Sequence, residues 1–96
     1  MTKNDILTQL KNNRNYIKQH FGVDKIGLFG SYAKDTYNAN SDIDIYVEFK
    51  NKTFDNIAGL WNYLENLYNK KIDLIHNHRR ANKIIMANIQ KEVVYG

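Results

Sequence analysis

The sequence predicts a small α/β domain in which helices pack against a sheet of three or four strands. Apolar residues recur with helical periodicity over residues 4–21, again after residue 53, and again after residue 80. Between these segments lie three short apolar runs bounded by polar or glycine residues, a pattern typical of strands. Because a chain of 96 residues supports one modest hydrophobic core, we expect residues 1–96 to form a single domain.

The N-terminal part of the chain predicts one long helix followed by a strand. The helix spans residues 4–21, and Gly22 is suited to end it. One stripe of this helix carries Leu7, Leu10, Ile17 and Phe21, completed by Arg14. The run "KIGLFG", residues 25–30, then predicts a buried strand, and residues 31–40 predict a short helical turn and a loop.

The segment "SDIDIYVEF", residues 41–49, alternates strictly between apolar and mostly polar side chains. Because successive strand residues point to opposite faces of a sheet, the segment predicts a strand with one packed face. The apolar face carries Ile43, Ile45, Val47 and Phe49, and the opposite face carries Asp42, Asp44, Tyr46 and Glu48.

The C-terminal half predicts a helix, a strand and a final helix. Thr53 is a suitable N-cap for the first helix. The inner face of that helix is predicted to consist of Ile57, Leu60, Trp61, Leu64, Leu67 and Tyr68. "KKIDLIH" predicts the third strand, and residues 80–91 predict a helix that packs through Ile84, Ile85, Ile89 and Met86. Residues 93–95 either continue this helix or form a short edge strand.

Composition narrows the function classes. The chain has no cysteine, which excludes disulfides and thiolate zinc sites. Its net charge is +4, but the basic residues are scattered, so a solvated surface is favoured over direct nucleic-acid binding. The N-terminus is too polar for a signal peptide and no apolar run is long enough to cross a membrane. We therefore expect a cytoplasmic protein.

Two aspartates one residue apart are unusual in a strand, because Asp42 and Asp44 lie roughly 6.5–7 Å apart on one face and repel each other. One interpretation is a solvent-exposed face. The alternative draws on Asp73, a third acid within an apolar run on a strand expected to lie alongside, and on the turn Gly30-Ser31. Carboxylate oxygens suit Mg²⁺, and a Gly-Ser turn at a helix start suits a phosphate. Together these residues predict a site for a metal-bound nucleoside triphosphate.

The stretch "GSYAKDTYNANSDIDIYV" resembles the signature of the nucleotidyltransferase superfamily that shares the palm of DNA polymerase β. Residues 22–76 carry the resemblance, and the ending "ANIQKEVVYG" is similar to the C-terminal segment of the family. The short chain is similar to the minimal nucleotidyltransferases that are usually encoded beside a HEPN-domain protein. The resemblance implies a polymerase β palm-like fold with a small mixed sheet.

The resemblance also implies a role for each residue of the motif. Gly30 and Ser31 would bind the triphosphate of ATP, with Lys34 neutralising phosphate charge. Asp42 and Asp44 would ligate two Mg²⁺ ions, while Asp73 would complete the catalytic metal site and help to deprotonate the acceptor hydroxyl. Asp35 departs from the pattern, because glycine is common there, although aspartate tolerates the left-handed backbone conformation.

The implied function is Mg-dependent transfer of AMP from ATP to a tyrosine hydroxyl of a HEPN toxin, with this chain as the antitoxin in a hetero-oligomer. A second hypothesis is a non-catalytic antitoxin that neutralises its partner by covering it. A small-molecule or RNA nucleotidyltransferase is disfavoured, because such enzymes usually need a further domain to hold the acceptor.

His76 and His78 could share a metal, but surface loop residues are the favoured interpretation.

Overall fold

The computed structural model describes residues 1–78 and 80–95, leaving Arg79 and Gly96 outside the described residues. The elements follow the predicted order. They are α1 (Lys3–Phe21), β1 (Val23–Phe29), α2 (Gly30–Ala33), β2 (Ile43–Phe49), α3 (Phe54–Tyr68), β3 (Ile72–His76), α4 (Lys83–Glu92) and β4 (Val94–Tyr95). None of the helices in residues 1–78 and 80–95 has the length and apolar character needed to cross a membrane.

Helix α1 has well-defined ends. Thr2 accepts a hydrogen bond from the backbone N–H of Asp5, whose carboxylate accepts one from the Thr2 N–H, a reciprocal capping box. Gly22 ends the helix in the left-handed conformation with φ 62°. The buried stripe begins one residue earlier than predicted, with Ile6 in the core and Leu7 only partly buried.

The strands form one mixed sheet in the order β3-β2-β1-β4. Strand β2 runs parallel to β3, and β1 runs antiparallel to both β2 and β4. Residues 94–95 therefore form the edge strand that was one of the two predicted alternatives. Helices α1 and α3 cover the face that carries the buried Ile43, Ile45 and Val47, and this face holds the main core.

The opposite face of the sheet is also partly covered, so the prediction that β2 has one packed face is wrong. Tyr46, which shares a face with Asp44, is 0% exposed. Its hydroxyl donates to Glu48 at 3.2 Å and accepts from the side-chain amide of Gln90 on α4 at 2.9 Å. Strict alternation did not reveal this contact, because tyrosine has both an apolar ring and a polar tip and is compatible with either environment.

Gly27 allows the chain after α4 to cross this second face closely. A side-chain carbon added at Gly27 would collide with the Val93 side chain and the Val94 carbonyl. One part of the second face is therefore covered, and the part nearer the other end of the strands is not. The segment from α4 to β4 covers the part at Gly27 and Tyr46, and the part at Asp44 lies beyond it.

Helix α4 begins at Lys83, with Asn82 accepting hydrogen bonds from the backbone N–H groups of Ile84 and Ile85. The prediction that both isoleucines pack inward is wrong, because Ile84 is 75% exposed and Ile85 57% exposed. Met86 is the buried residue of this helix, and Gln90 follows it one turn later toward Tyr46. The side of α4 that faces the sheet therefore carries Met86 and Gln90, and the predicted stripe is rotated from it by about one residue.

Helix α3 closes the edge of β3. Trp61 was predicted to lie in the core but is 37% exposed, and its indole N–H donates to the carbonyl of Ile72 at 2.8 Å. Glu65, one turn later, accepts from the Ile72 N–H at 3.3 Å. Trp61 therefore provides a hydrogen bond to a backbone carbonyl at the edge of β3. Tyr68 is buried as predicted.

Candidate active site

The three predicted carboxylates lie at one end of two neighbouring strands. Asp44 on β2 is directly paired with Asp73 on β3 in the parallel register, and Asp42 immediately precedes β2. On the other side, Asp44 pairs with Phe29, the last residue of β1. Since neighbouring strands lie about 4.8 Å apart, the fold brings Asp44, Asp73 and the β1–α2 turn together.

The Asp44 carboxyl has a pKa above its ordinary value. Burial is the main cause, and the neighbouring charges of Asp73 and Asp42 raise the pKa further. A hydrogen bond from the backbone N–H of Ser31 acts in the opposite direction. The carboxylates thus repel one another across the strand ends, as expected for like charges at this spacing.

Gly30 is required by both its backbone conformation and its surroundings. Its φ is +73°, in the left-handed region that favours glycine. A side-chain carbon at this position would collide with the Asp44 carboxylate. The β1–α2 turn can therefore approach the acidic strand only because residue 30 has no side chain.

The turn after α2 retains its geometry despite the departure from the family pattern at Asp35. Asp35 adopts φ 58°, and its side chain is exposed. The carbonyl of Ser31 accepts from the Thr36 N–H at 2.9 Å, which closes the turn. The backbone that the resemblance associates with glycine is thus formed by aspartate.

Lys34, which the resemblance places near phosphate, forms an ion pair with Glu92. The two charged groups are 3.0 Å apart and both side chains are substantially exposed. This contact joins α2 to the last turn of α4. Its contribution to stability is small, because exposed pairs are worth about 0–1 kcal/mol.

Sequence reasoning missed Lys71, whose ammonium lies 3.9 Å from the Asp42 carboxylate. Lys71 stands two residues before Asp73, just outside β3. The pair Lys70-Lys71 was visible in the sequence, but it was interpreted as a part of a scattered basic surface. A signal was available, because a cation two residues before an acid lies on the same side of an extended chain.

Lys70 and two tyrosines organise the loop between α2 and β2. The ring of Tyr37 stacks on that of the buried Tyr32, with centroids 4.2 Å apart and an interplanar angle of 13°. The Lys70 ammonium lies 3.4 Å from the carbonyls of Ala39 and Ser41, and 6.0 Å from the Tyr32 ring centroid. These contacts hold the segment that leads into Asp42.

The side chains do not form a closed metal cage. Within residues 1–78 and 80–95, no three His, Cys, Asp or Glu side chains are arranged so that they could hold a metal ion. The rings of His76 and His78 are 5.6 Å apart, and burial is the main cause that lowers the pKa of His76. The carboxylates supply the oxygen donors that Mg²⁺ prefers. Burial raises the pKa of Asp44, and the charges of Asp73 and Asp42 raise it further.

Comparison with known proteins identifies the family of the chain. The family model described as "Polymerase beta, Nucleotidyltransferase" matches residues 11–96. The chain belongs to this nucleotidyltransferase family.

Two curated relatives extend over nearly the whole chain. One, from Methanocaldococcus jannaschii, has the provisional name protein adenylyltransferase. It is 33% identical over 97 residues, and the match covers 98% of this chain and 97% of the relative. The other, protein adenylyltransferase MntA of Thermococcus cleftensis, is 31% identical over 96 residues, covering 99% and 96%.

Solved structures show the same fold. A toxin–antitoxin structure with AMP-PNP matches with a TM-score of 0.63 and 30% identity, covering 99% of this chain and 72% of that one. The complex of a tri-AMPylated Shewanella oneidensis HEPN toxin with its MNT antitoxin matches with a TM-score of 0.58 and 23% identity, covering 91% and 70%. The polymerase β-like nucleotidyltransferase fold predicted from the sequence is confirmed.

Proposed function

We propose that this chain transfers AMP from ATP to a tyrosine hydroxyl of a HEPN-domain toxin and thereby acts as its antitoxin. The observation that carries the proposal is the direct pairing of Asp44 with Asp73 beside the Gly30-Ser31 turn. Family membership and the relative named protein adenylyltransferase MntA support the reaction class. The complex of a tri-AMPylated toxin with its antitoxin supports the acceptor.

We propose that Asp42, Asp44 and Asp73 hold two Mg²⁺ ions. The donor set fits, because three carboxylates share the strand ends and the charges of Asp73 and Asp42 disfavour ionisation of Asp44, a cost that bound cations would offset. When bound, such ions stabilise the entering and leaving oxygens of an in-line displacement. Because no three His, Cys, Asp or Glu side chains already surround one point in residues 1–78 and 80–95, the proposal requires the exposed side chains of Asp42 and Asp73 to rotate toward a shared ion.

The other residues of the motif take distinct roles in this proposal. Gly30 lets the turn approach, and Ser31 contributes its hydroxyl to the triphosphate, since its N–H already donates to Asp44. Lys34 reaches the phosphates when it leaves Glu92, an exchange that costs little for an exposed ion pair.

In the reaction itself, the tyrosine oxygen forms a bond to the α-phosphorus while the bond from that phosphorus to the bridging oxygen breaks. Pyrophosphate leaves, and Asp73 accepts the proton of the hydroxyl. The protein contributes chiefly by positioning the reactants and by stabilising charge, as in other phosphoryl and nucleotidyl transfers.

The test uses the purified chain, a HEPN-domain protein from the same genome, Mg²⁺ and ATP labelled at the α-phosphate. We expect label on the HEPN protein and its loss in the double variant Asp42→Asn/Asp44→Asn, while the two proteins still bind. An unlabelled partner that binds tightly to the wild-type chain would contradict the transfer reaction.

A binding-only antitoxin is the second candidate, favoured by one departure in the motif. Asp35 adds a negative charge beside the proposed phosphate site, in place of the usual glycine. The same double variant separates the two functions. If it still neutralises the toxin in cells, covering the partner is sufficient, and if neutralisation is lost, catalysis is required.

A further inference from the structure

The outer side of α4 is an apolar surface that the described chain leaves uncovered. Ile84 is 75% exposed and Ile85 57% exposed, although both are large aliphatic residues. Ile85 also lines a groove of about 280 Å³ between α4 and β3, together with Ile75, Met86 and Ile89. We call Ile84, Ile85 and this groove the α4 surface.

The α4 surface lies beside the carboxylates on the same face of the sheet. Tyr46 is on the same face as Asp44, and its hydroxyl accepts a hydrogen bond from Gln90 of α4. Helix α4 therefore lies over that face. Ile75, in the groove, is two residues beyond Asp73 on β3, and side chains at this spacing point the same way roughly 6.5–7 Å apart. A protein that brings a tyrosine to Asp73 from this face therefore comes close to Ile75, which lines the groove of the α4 surface.

Exposed basic side chains flank the α4 surface near both ends of the helix. Arg80 and Lys83 are exposed at the start of the helix, and Lys91 is exposed two turns after Ile84 on the same side. The carboxylate of Glu92 is paired with Lys34. An acidic rim on a partner would complement this arrangement, because opposite potentials favour encounter.

We propose that the α4 surface is the docking site for the protein that carries the acceptor tyrosine, and that this partner presents an apolar patch edged by acidic side chains. The inference rests on the proposed function insofar as the acceptor is a protein. Docking on α4 would orient the acceptor chain over the open part of the sheet face, next to Asp44 and Asp73. The surface would thus determine which protein is modified.

The decisive variant is Ile84→Ser/Ile85→Ser, compared with Phe54→Ser as a matched control. Phe54 is 82% exposed at the start of α3, the helix that covers the opposite face of the sheet. Binding of the HEPN-domain protein used in the transfer test is measured by calorimetry, and AMP transfer by initial rates. We expect the α4 variant to raise the Kd and KM for that protein at least about tenfold, as for interface anchors. The kcat, AMP-PNP affinity and thermal unfolding should change little.

A second pair of variants tests the charged rim without altering the apolar residues. Lys83→Glu/Lys91→Glu should slow association with the HEPN protein in a salt-dependent manner. Lys11→Glu, an exposed position on α1, should not.

Several outcomes would overturn the docking proposal. Unchanged binding by the α4 variant would do so, as would an equal loss in the Phe54→Ser control. A wild-type chain that is dimeric alone and becomes monomeric in the α4 variant would assign the surface to a second copy. If no AMP transfer occurs in any variant but the Kd still rises tenfold, the docking site stands and the transfer reaction fails.

Discussion

The two faces of the sheet differ in what their side chains accomplish. The face toward α1 and α3 carries Ile43, Ile45 and Val47, all 0% exposed, and contributes the core. The opposite face carries acids at one end of the strands and Tyr46 beneath α4 at the other. The first face stabilises the fold through burial of apolar surface, whereas the second retains repulsion among carboxylates. Stability and chemistry are thus separated by the alternation of a single strand, β2.

The strongest test of this separation is a core truncation on the first face. Ile45 is fully buried and pairs with Leu28 and Leu74 on the neighbouring strands. Ile45→Ala should cost about 2–5 kcal/mol of unfolding free energy, through lost burial and the cavity left behind. Urea denaturation followed by circular dichroism measures it. Ile85→Ala on exposed α4 is the control and should stay within about 0.5 kcal/mol of the wild type.

A smaller loss of stability, with a complete loss of transfer, is expected in the turn after β1, where Gly30 lies against Asp44 of β2. Gly30→Ala places a side chain in the left-handed region, at a cost of about 1–2 kcal/mol, and forces the Asp44 carboxylate to move. Initial rates of AMP transfer should fall to background. Gly59→Ala on α3 serves as a control for glycine replacement. Normal transfer by Gly30→Ala would show that the close approach to Asp44 is dispensable.

The second face should gain stability when a carboxylate is neutralised. The raised pKa of Asp44 means that its contribution to stability is present below its ordinary pKa of 3.8 and is lost as pH rises through the folded value. In EDTA, Asp44→Asn should therefore unfold at a higher temperature than the wild type at pH 7, with the difference vanishing toward pH 3. Added Mg²⁺ should stabilise the wild type and not the variant. A lower Tm for Asp44→Asn at neutral pH would contradict the raised pKa of Asp44.

The smallest effect on stability is expected at the exposed ion pair between Lys34 and Glu92. Because both side chains are substantially exposed, Lys34→Met and Glu92→Gln should each change unfolding by less than about 1 kcal/mol. They should differ in KM for ATP, rising for Lys34→Met and unchanged or lower for Glu92→Gln. Equal behaviour of both variants would assign Lys34 a structural contact with α4 rather than a phosphate role.

Much of the candidate site could be predicted because local patterns determine it. Asp42 and Asp44 share a strand face by the period of two, and the glycine at residue 30 pointed to a turn. Asp73 was singled out because an acid interrupted an apolar run. The spacing of Lys71 from Asp73 was an available signal for the side of the strand on which it lies, but its proximity to Asp42 depends on the ends of β2 and β3 coming together.

The errors in the fold prediction share one physical cause. Trp61, Ile84 and Ile85 were assigned to the core because they are apolar and lie near helical stripes. Whether such a side chain is buried depends on the rotation of its helix against the sheet, and here Met86 and Gln90 determine that rotation for α4. Tyr46 shows the converse, since a residue on an acidic strand face became fully buried when α4 covered it.

By itself, the sequence determined the order of helices and strands, the core face of β2, and the residue types of a nucleotidyltransferase motif. These follow from periodicity and from backbone preferences that act over a few residues. Only the tertiary structure decided that Asp73 pairs directly with Asp44, that α4 covers part of the acidic face, and that Ile84 and Ile85 remain outside. Those features depend on strand register and helix orientation, which arise from contacts between residues far apart in the chain.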